Sequence, residues 1–182
     1  VQADCSAIDP AELEEKLFGR AGGAPGLFRE ADGGTLLLEE VDRLPPGAQA
    51  RLLHAIQRRE VLPLDAAQPV PVDVRILAVA GPALREAVDA GRFRQDLYYR
   101  LSAFSVELPP LRDCREDIYA IANEFMEEIC HRYHIPDKAL SGEAFSKLLN
   151  YDWPGNLREL ENVLEGAAAL SDTDIIYPEH IH

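Results

Sequence analysis

Apolar residues follow two different rhythms along this chain, and the change comes near Pro109 and Pro110. Upstream of that point strand-like runs alternate with helical ones: a strand over 35–41, a helix over 46–60, a strand over 72–79, a helix over 82–90 and a strand over 103–108. Such alternation predicts an α/β fold, a parallel sheet flanked by helices. The turn residues agree, since Gly81 and Pro82 open one helix and Gly91 closes it, with proline at the first helical position and glycine past the last. Residues 68–71 read as a loop between strands. Downstream no strand signal remains. Ile118, Ile121, Ala122, Phe125, Met126, Ile129 and Tyr133 recur at helical spacing and predict one long amphipathic helix over 115–134, with Asp113 and Glu116 as its capping box. A second helix opens after Ser141. A third opens near Asn156, where Asn156 and Glu159 form another capping-box pattern behind the stop signal Trp153, Pro154, Gly155. The chain thus divides into an α/β unit over residues 1–109 and a small all-helical unit over 110–182.

The run Thr35, Leu36, Leu37, Leu38 ends abruptly in Glu39 and Glu40. It reads as an inner strand buried on both faces that delivers its charge at its C-terminal edge, the edge at which open α/β sheets bind ligands. Two adjacent carboxylates there suit a Mg²⁺ ion and an oriented water, parts that a nucleotide hydrolase needs. The plainer reading is acid that marks the return of the chain to water.

Composition narrows the choice. With 182 residues, 47% of them apolar, the chain has enough material for an ordinary core. A formal charge of -14 and a pI near 4.7 argue against a nucleic-acid surface, which needs clustered Lys and Arg in excess. Cys5, Cys114 and Cys130 are odd in number and far apart, so neither a disulfide framework nor a zinc site is implied, and a reducing cytoplasmic setting fits. No apolar run is long enough to span a bilayer, and the first residues have no signal-peptide pattern. Without an initiator Met, the chain is expected to be a piece of a longer protein.

Five segments stand in one order: GGTLLLEEVDRLP from Gly33, VDVRILAVA from Val72, GRFRQDLYYRL from Gly91, LPPLRDCREDI from Leu108 and YDWPGNLRELEN from Tyr151. Together they resemble the AAA+ domain of sigma-54-dependent transcriptional activators, the bacterial enhancer-binding proteins, over nearly the whole chain. The resemblance implies an AAA+ core over 1–109, truncated before its phosphate-binding segment, and a helical lid over 110–182. It implies ATP and Mg²⁺ as cofactors, with Glu39 and Glu40 in the Walker B positions: Glu39 on the metal and Glu40 polarising the attacking water. Arg94 and Arg100, six residues apart, match arginines that such ATPases insert into a neighbouring subunit's site, which implies a ring or dimer. Their plain alternative is ion pairing with nearby acids such as Asp96. Arg158 matches the sensor II arginine that couples lid to phosphate; its alternative is a pair with Glu161 on the same helix.

The departures from the family pattern are as informative as the matches. No Gly-rich turn ending in Lys and Ser or Thr is present, and Gly22 and Gly23 do not replace it, so the P-loop is expected upstream of Val1. The GAFTGA loop that touches sigma-54 has only RAGGAP, residues 20–25, in its place, with no aromatic residue to bury in a partner. The sensor I positions read Ala80 and Gly81, without a side chain able to hydrogen-bond a phosphate. The first Walker B acid is Glu39 where the family has Asp, and its extra methylene pushes the carboxylate out of register with octahedral Mg²⁺.

The expectation is therefore a divergent AAA+ module of a transcription regulator that couples ATP and self-assembly to RNA polymerase and its sigma factor, without itself binding nucleic acid. The alternative is a module kept for oligomerisation or nucleotide sensing with little hydrolysis, independent of sigma-54. The remaining candidates have bland readings. His131 and His134 sit near a helix C-terminus without a third ligand, His180 and His182 lie in the terminal segment, Tyr98 and Tyr99 are packing residues, and Trp153 anchors a turn.

Overall fold

A computed structural model describes residues 1–182, which form two compact units, Val1–Ser105 and Val106–His182. In the first unit the order is β1 (Gln2–Asp4), α1 (Pro10–Phe18), α2 (Leu27–Glu30), β2 (Thr35–Glu39), α3 (Pro46–Arg58), β3 (Glu60–Val61), β4 (Val70–Pro71), β5 (Arg75–Ala78), α4 (Ala83–Asp89) and α5 (Gln95–Leu101). A three-stranded parallel sheet in the order β1-β2-β5 lies at its centre, with Leu37 opposite Gln2 and Leu36 opposite Ile76.

Side chains of a strand alternate between faces, and here the two faces fare differently. Leu36 and Leu38 are fully buried in one cluster with Leu13, Leu17, Phe28, Ala48, Leu52 and Leu97. Each such leucine contributes about 2 kcal/mol relative to an exposed one. On the other face Leu37 is only partly buried and Leu77 is 45% exposed. The expectation of burial on both faces is therefore corrected: the helices of this chain cover one side of the sheet. The strand is also shorter than 35–41, because Glu40 takes a left-handed conformation at φ 51 and a 3-10 turn, Val41–Arg43, follows it.

Three further expectations change. The strand over 72–79 begins only at Arg75, since the Asp73 N–H donates to Asp32 Oδ1 and the Gly33 N–H donates to Asp73, bending the chain there. Residues 68–71 are not all loop, because β4 pairs antiparallel with β3. Residues 103–108 form no strand: Phe104, Val106 and Leu108 are 98%, 86% and 88% exposed, with no neighbouring strand to pair with.

The second unit contains α6 (Ile118–Tyr133), β6 (Ala139–Leu140), α7 (Gly142–Leu149), α8 (Asn156–Leu170) and β7 (Ile175–Ile176). Its core joins Ile118, Ala122, Met126 and Ile129 of α6 to Leu160, Leu164 and Ala167 of α8. It is not entirely helical, since β6 and β7 form a two-residue parallel pair. The helix expected over 115–134 starts later, behind a 3-10 turn at Arg115–Asp117, and Asp113 and Glu116 do not cap it. Ser141 does cap α7, its hydroxyl accepting the Ala144 N–H at 3.1 Å. The second capping box does not form between Asn156 and Glu159: Glu159 accepts the Gly155 N–H at 2.8 Å, and the Asn156 side chain accepts from Leu111. Trp153 is 1% exposed and donates its ring N–H to Leu148 at 2.9 Å, fixing the turn before α8.

The turn at residues 20–25 is closed by direct backbone contact between its two ends. A Cβ on Gly26, where φ is +80, would lie 2.3 Å from the Gly19 nitrogen. Gly22, at φ +74 on the tip, has nothing within 4 Å. Gly26→Ala should therefore cost about 2–3 kcal/mol and Gly22→Ala only about 1 kcal/mol, read as the shift of the urea midpoint at constant slope. Equal losses would show that the backbone contact is not what closes the turn.

Candidate functional site

Backbone pairing carries β2 and β5 to a common C-terminal edge. The Val79 N–H donates to Leu38 at 2.8 Å and the Val41 N–H donates to Val79 at 3.0 Å. Glu39 and Glu40 therefore end one strand while Ala80 and Gly81 follow its neighbour. Glu39 is partly buried, and its Oε2 accepts the Gln2 side-chain amide at 2.7 Å, which commits one carboxylate oxygen to the sheet. The left-handed backbone at Glu40 is uncommon for a non-glycine residue and turns its side chain out of the strand's alternation.

More acid gathers here than Glu39 and Glu40 alone. The Cys5 thiol is pushed up to about 11, first by burial and then by Asp4, Asp42 and Glu40. One carboxylate oxygen of Asp42 is buried without a hydrogen-bond partner. Yet no three His, Cys, Asp or Glu side chains converge as a cation site. Ala80 and Gly81 add no side-chain donor. Tested against Mg²⁺ and a nucleotide, the edge supplies two carboxylates but neither a full set of metal ligands nor a phosphate cradle.

The arginines separate into bound and free. Arg94 precedes α5 and grips Asp96 with a fork, Nε to Oδ1 at 3.0 Å and Nη2 to Oδ2 at 2.8 Å. The plain ion-pair alternative is thus formed within this chain. Arg100, on the last turn of α5, is exposed and makes no ion pair or hydrogen bond. Arg158 is exposed as well, and the pair with Glu161 is not formed, because Glu161 takes Arg132 at 3.0 Å. Within its own unit Arg158 lines an open pocket of about 630 Å³ with Asn162, Gly166, His180 and His182. The His131 and His134 rings meet edge-on, at 6.4 Å between ring centres and 65° between planes.

Two features were not legible in the sequence. Gln49, 2% exposed on α3, donates to the Leu44 and Arg92 carbonyls at 2.8 and 3.0 Å and accepts the Arg94 N–H at 2.9 Å. It pins the loop that presents Arg94. A polar residue at a core position of a helix period was the signal available. Arg20, in the RAGGAP turn, bridges Glu15 at 2.9 Å and Asp65, while the Ala21 N–H donates to Leu64 at 2.8 Å. The turn is fastened to residues 64–65 and does not project.

With this geometry in view, comparison with known proteins defines the class. Residues 1–107 match the profile of the sigma-54 interaction domain and residues 112–182 that of the AAA+ ATPase lid domain. The chain belongs to the sigma-54 interaction domain family, with an AAA+ lid behind it. Among its relatives, the transcriptional regulatory protein ZraR of Salmonella typhimurium is 46% identical over 178 residues, covering 93% of this chain and 40% of ZraR. The response regulator PilR of Pseudomonas aeruginosa is 43% identical over 189 residues, covering 100% of this chain and 42% of PilR. A crystal structure of NtrX from Brucella abortus in complex with ATP superposes at a TM-score of 0.95, with 31% identity, over 100% of this chain and 42% of that one. The parallel sheet flanked by helices is thus the AAA+ arrangement, and the chain spans only 40–42% of the length of these relatives.

Two outcomes test the arginine loop. The Asp96 carboxyl is held below its ordinary value first by the Arg94 hydrogen bond, with the Leu97 N–H assisting. A depressed carboxylate stabilises the fold above its unfolded pKa, and that stabilisation is lost as pH falls through its folded pKa. Arg94→Ala should raise the Asp96 pKa toward, but short of, the ordinary value in an NMR titration. Gln49→Leu leaves two buried carbonyls and an N–H unpaired and should cost about 2–4 kcal/mol. A loss below 0.5 kcal/mol in urea unfolding would remove Gln49 from this role.

Proposed function

We propose that this chain is the AAA+ module of a sigma-54-activator-like transcription regulator, in which ATP binding and ring assembly control RNA polymerase. The observation that carries the reading is the meeting of Glu39 and Glu40 with Ala80 and Gly81 at one sheet edge, while Arg100 stands exposed and unpaired on α5. In the parent protein Glu40 would polarise an attacking water, and Arg100 would reach the γ-phosphate of nucleotide held by a neighbouring subunit. Arg158 answers to nucleotide from the lid. Glu39 would hold Mg²⁺ only after giving up Gln2. Arg94, spent on Asp96, is the weaker of the two finger candidates.

Specific observations also favour a second reading, a module kept for oligomerisation or nucleotide sensing and acting without sigma-54. Glu39 is engaged, the sensor positions lack polar side chains, and the turn at residues 20–25 is tied down by Arg20. The NtrX complex supports nucleotide binding in either reading.

The 182-residue chain should release no phosphate from ATP in the presence of Mg²⁺. The parent should turn ATP over and self-associate with a non-hydrolysable analogue, and Glu40→Gln or Arg100→Ala should lower its turnover by about 10³-fold. Nucleotide-driven assembly without turnover would select the second reading. A parent that sediments as a monomer with and without analogue would sink both.

A further inference from the structure

Residues 62–69 join β3 to β4, a hairpin of only two residue pairs, too short to hold its own loop in one place. The first part of that loop is fastened from outside the hairpin instead. The Leu64 N–H donates to Gly19 and the Ala21 N–H donates to Leu64, both at 2.8 Å, which makes an isolated parallel bridge with the turn at residues 20–25. Two arginines flank the bridge. Arg51 of α3 donates to the Leu62 carbonyl at 2.8 Å and to Glu14 Oε2 at 3.2 Å. Arg20 pairs with Asp65 and, at 2.9 Å, with Glu15. Glu14 and Glu15 are neighbours on α1, so one stretch of one helix anchors both arginines. Gly47 belongs to the same set: it lies in the first turn of α3, where a Cβ would collide with the Glu14 carboxylate.

We infer that residues 62–65 are a strap, latched shut by this double clasp, that opens and closes against α1 and the turn at residues 20–25. The strength of the clasp argues for a latch and against a fixed strut. Side chains of the Arg20 clasp are between 42% and 68% exposed and those of the Arg51 clasp 33% and 27%, and ion pairs so exposed contribute little each. The strap therefore opens more readily than the sheet unfolds. Opening bares the Gly19 carbonyl, the Ala21 amide and Pro63, which is buried while the strap is down. The turn itself stays closed, because the approach of Gly26 to Gly19 and the Arg20 N–H on Ala24 at 3.2 Å are internal to it. The latch thus decides whether this face of the first unit is flat or open. It rests on contacts within that unit and not on nucleotide, so its failure would leave both readings of function standing.

Hydrogen exchange read at single amides tests the latch. Arg51 makes its hydrogen bonds and ion pair with Glu14 and Leu62 and none with residues 20–25, so Arg51→Met reaches Ala21 only through the strap. It should speed exchange of the Ala21 and Leu64 amides about 10-fold. The Gly23 amide, bonded to Arg20 within the turn, and the Val79 amide of the sheet should keep their rates. Gly47→Ala removes no charge and adds the better helix former, yet by displacing Glu14 it should speed Ala21 and Leu64 by about 2- to 5-fold. High salt should act on the wild type in the same direction, since it screens exposed pairs. An Ala21 rate unmoved by Arg51→Met would overturn the latch. So would a faster Gly23, which would mean that the turn unravels, or an equally faster Val79, which would mean that the whole unit unfolds.

Discussion

The register between β2 and β5 is the constraint on which the rest depends. Two backbone hydrogen bonds, Val79 to Leu38 and Val41 to Val79, fix the ends of both strands against each other. That pairing, and not any side-chain contact, sets Glu39 and Glu40 beside Ala80 and Gly81. A slip of one residue would exchange Leu36 and Leu38 for Leu37 and Glu39 on the buried face. The helical cluster around Leu13, Leu52 and Leu97 accepts only the first arrangement. Packing on one face of the sheet thus aims the carboxylates at its edge.

The loop before α5 and the RAGGAP turn are held by polar contacts that differ in strength. Arg94 and Asp96 are both about half exposed, so their pair is worth little as stability and more as orientation. Gln49 matters more, because it is buried and satisfies three backbone groups around the same loop. The Arg20 bridge to Glu15 and Asp65 fastens the RAGGAP turn from outside, while the contact of Gly26 on Gly19 closes it from within. Both act on the same short segment, residues 20–25, and both favour a compact turn.

Long, strongly periodic elements were legible in the sequence: α3, α4, α7 and α8 lie close to where period and turn residues put them, α6 lies where its period put it but starts three residues late, and β2 and β5 lie within the predicted runs. Errors collected where a local pattern needs a distant partner. Residues 103–108 carry the alternation of a strand but have no neighbour to pair with. Residues 68–71 carry loop composition, yet Val70 and Pro71 find β3. The Asn156 side chain, suited to cap its own helix, is drawn to the Leu111 amide across the unit. β1 and α1 were missed although Asp9 and Pro10 are a helix start, with Asp9 accepting the Ala11 N–H at 2.8 Å.

The sequence alone determined the class of fold, the order of the motifs and the family, because these rest on local periodicity and on short strings that keep their spacing. It also showed that Ala80 and Gly81 carry no hydrogen-bonding side chain and that residues 20–25 hold no aromatic residue. Only the tertiary structure decided which arginines are bound and which are free, that Glu39 is held by Gln2, that Gln49 secures Arg94, and that Arg20 and Arg51 fasten residues 62–65. Each of these turns on which residues meet across the fold. Such meetings depend on packing and register, and no local pattern encodes them.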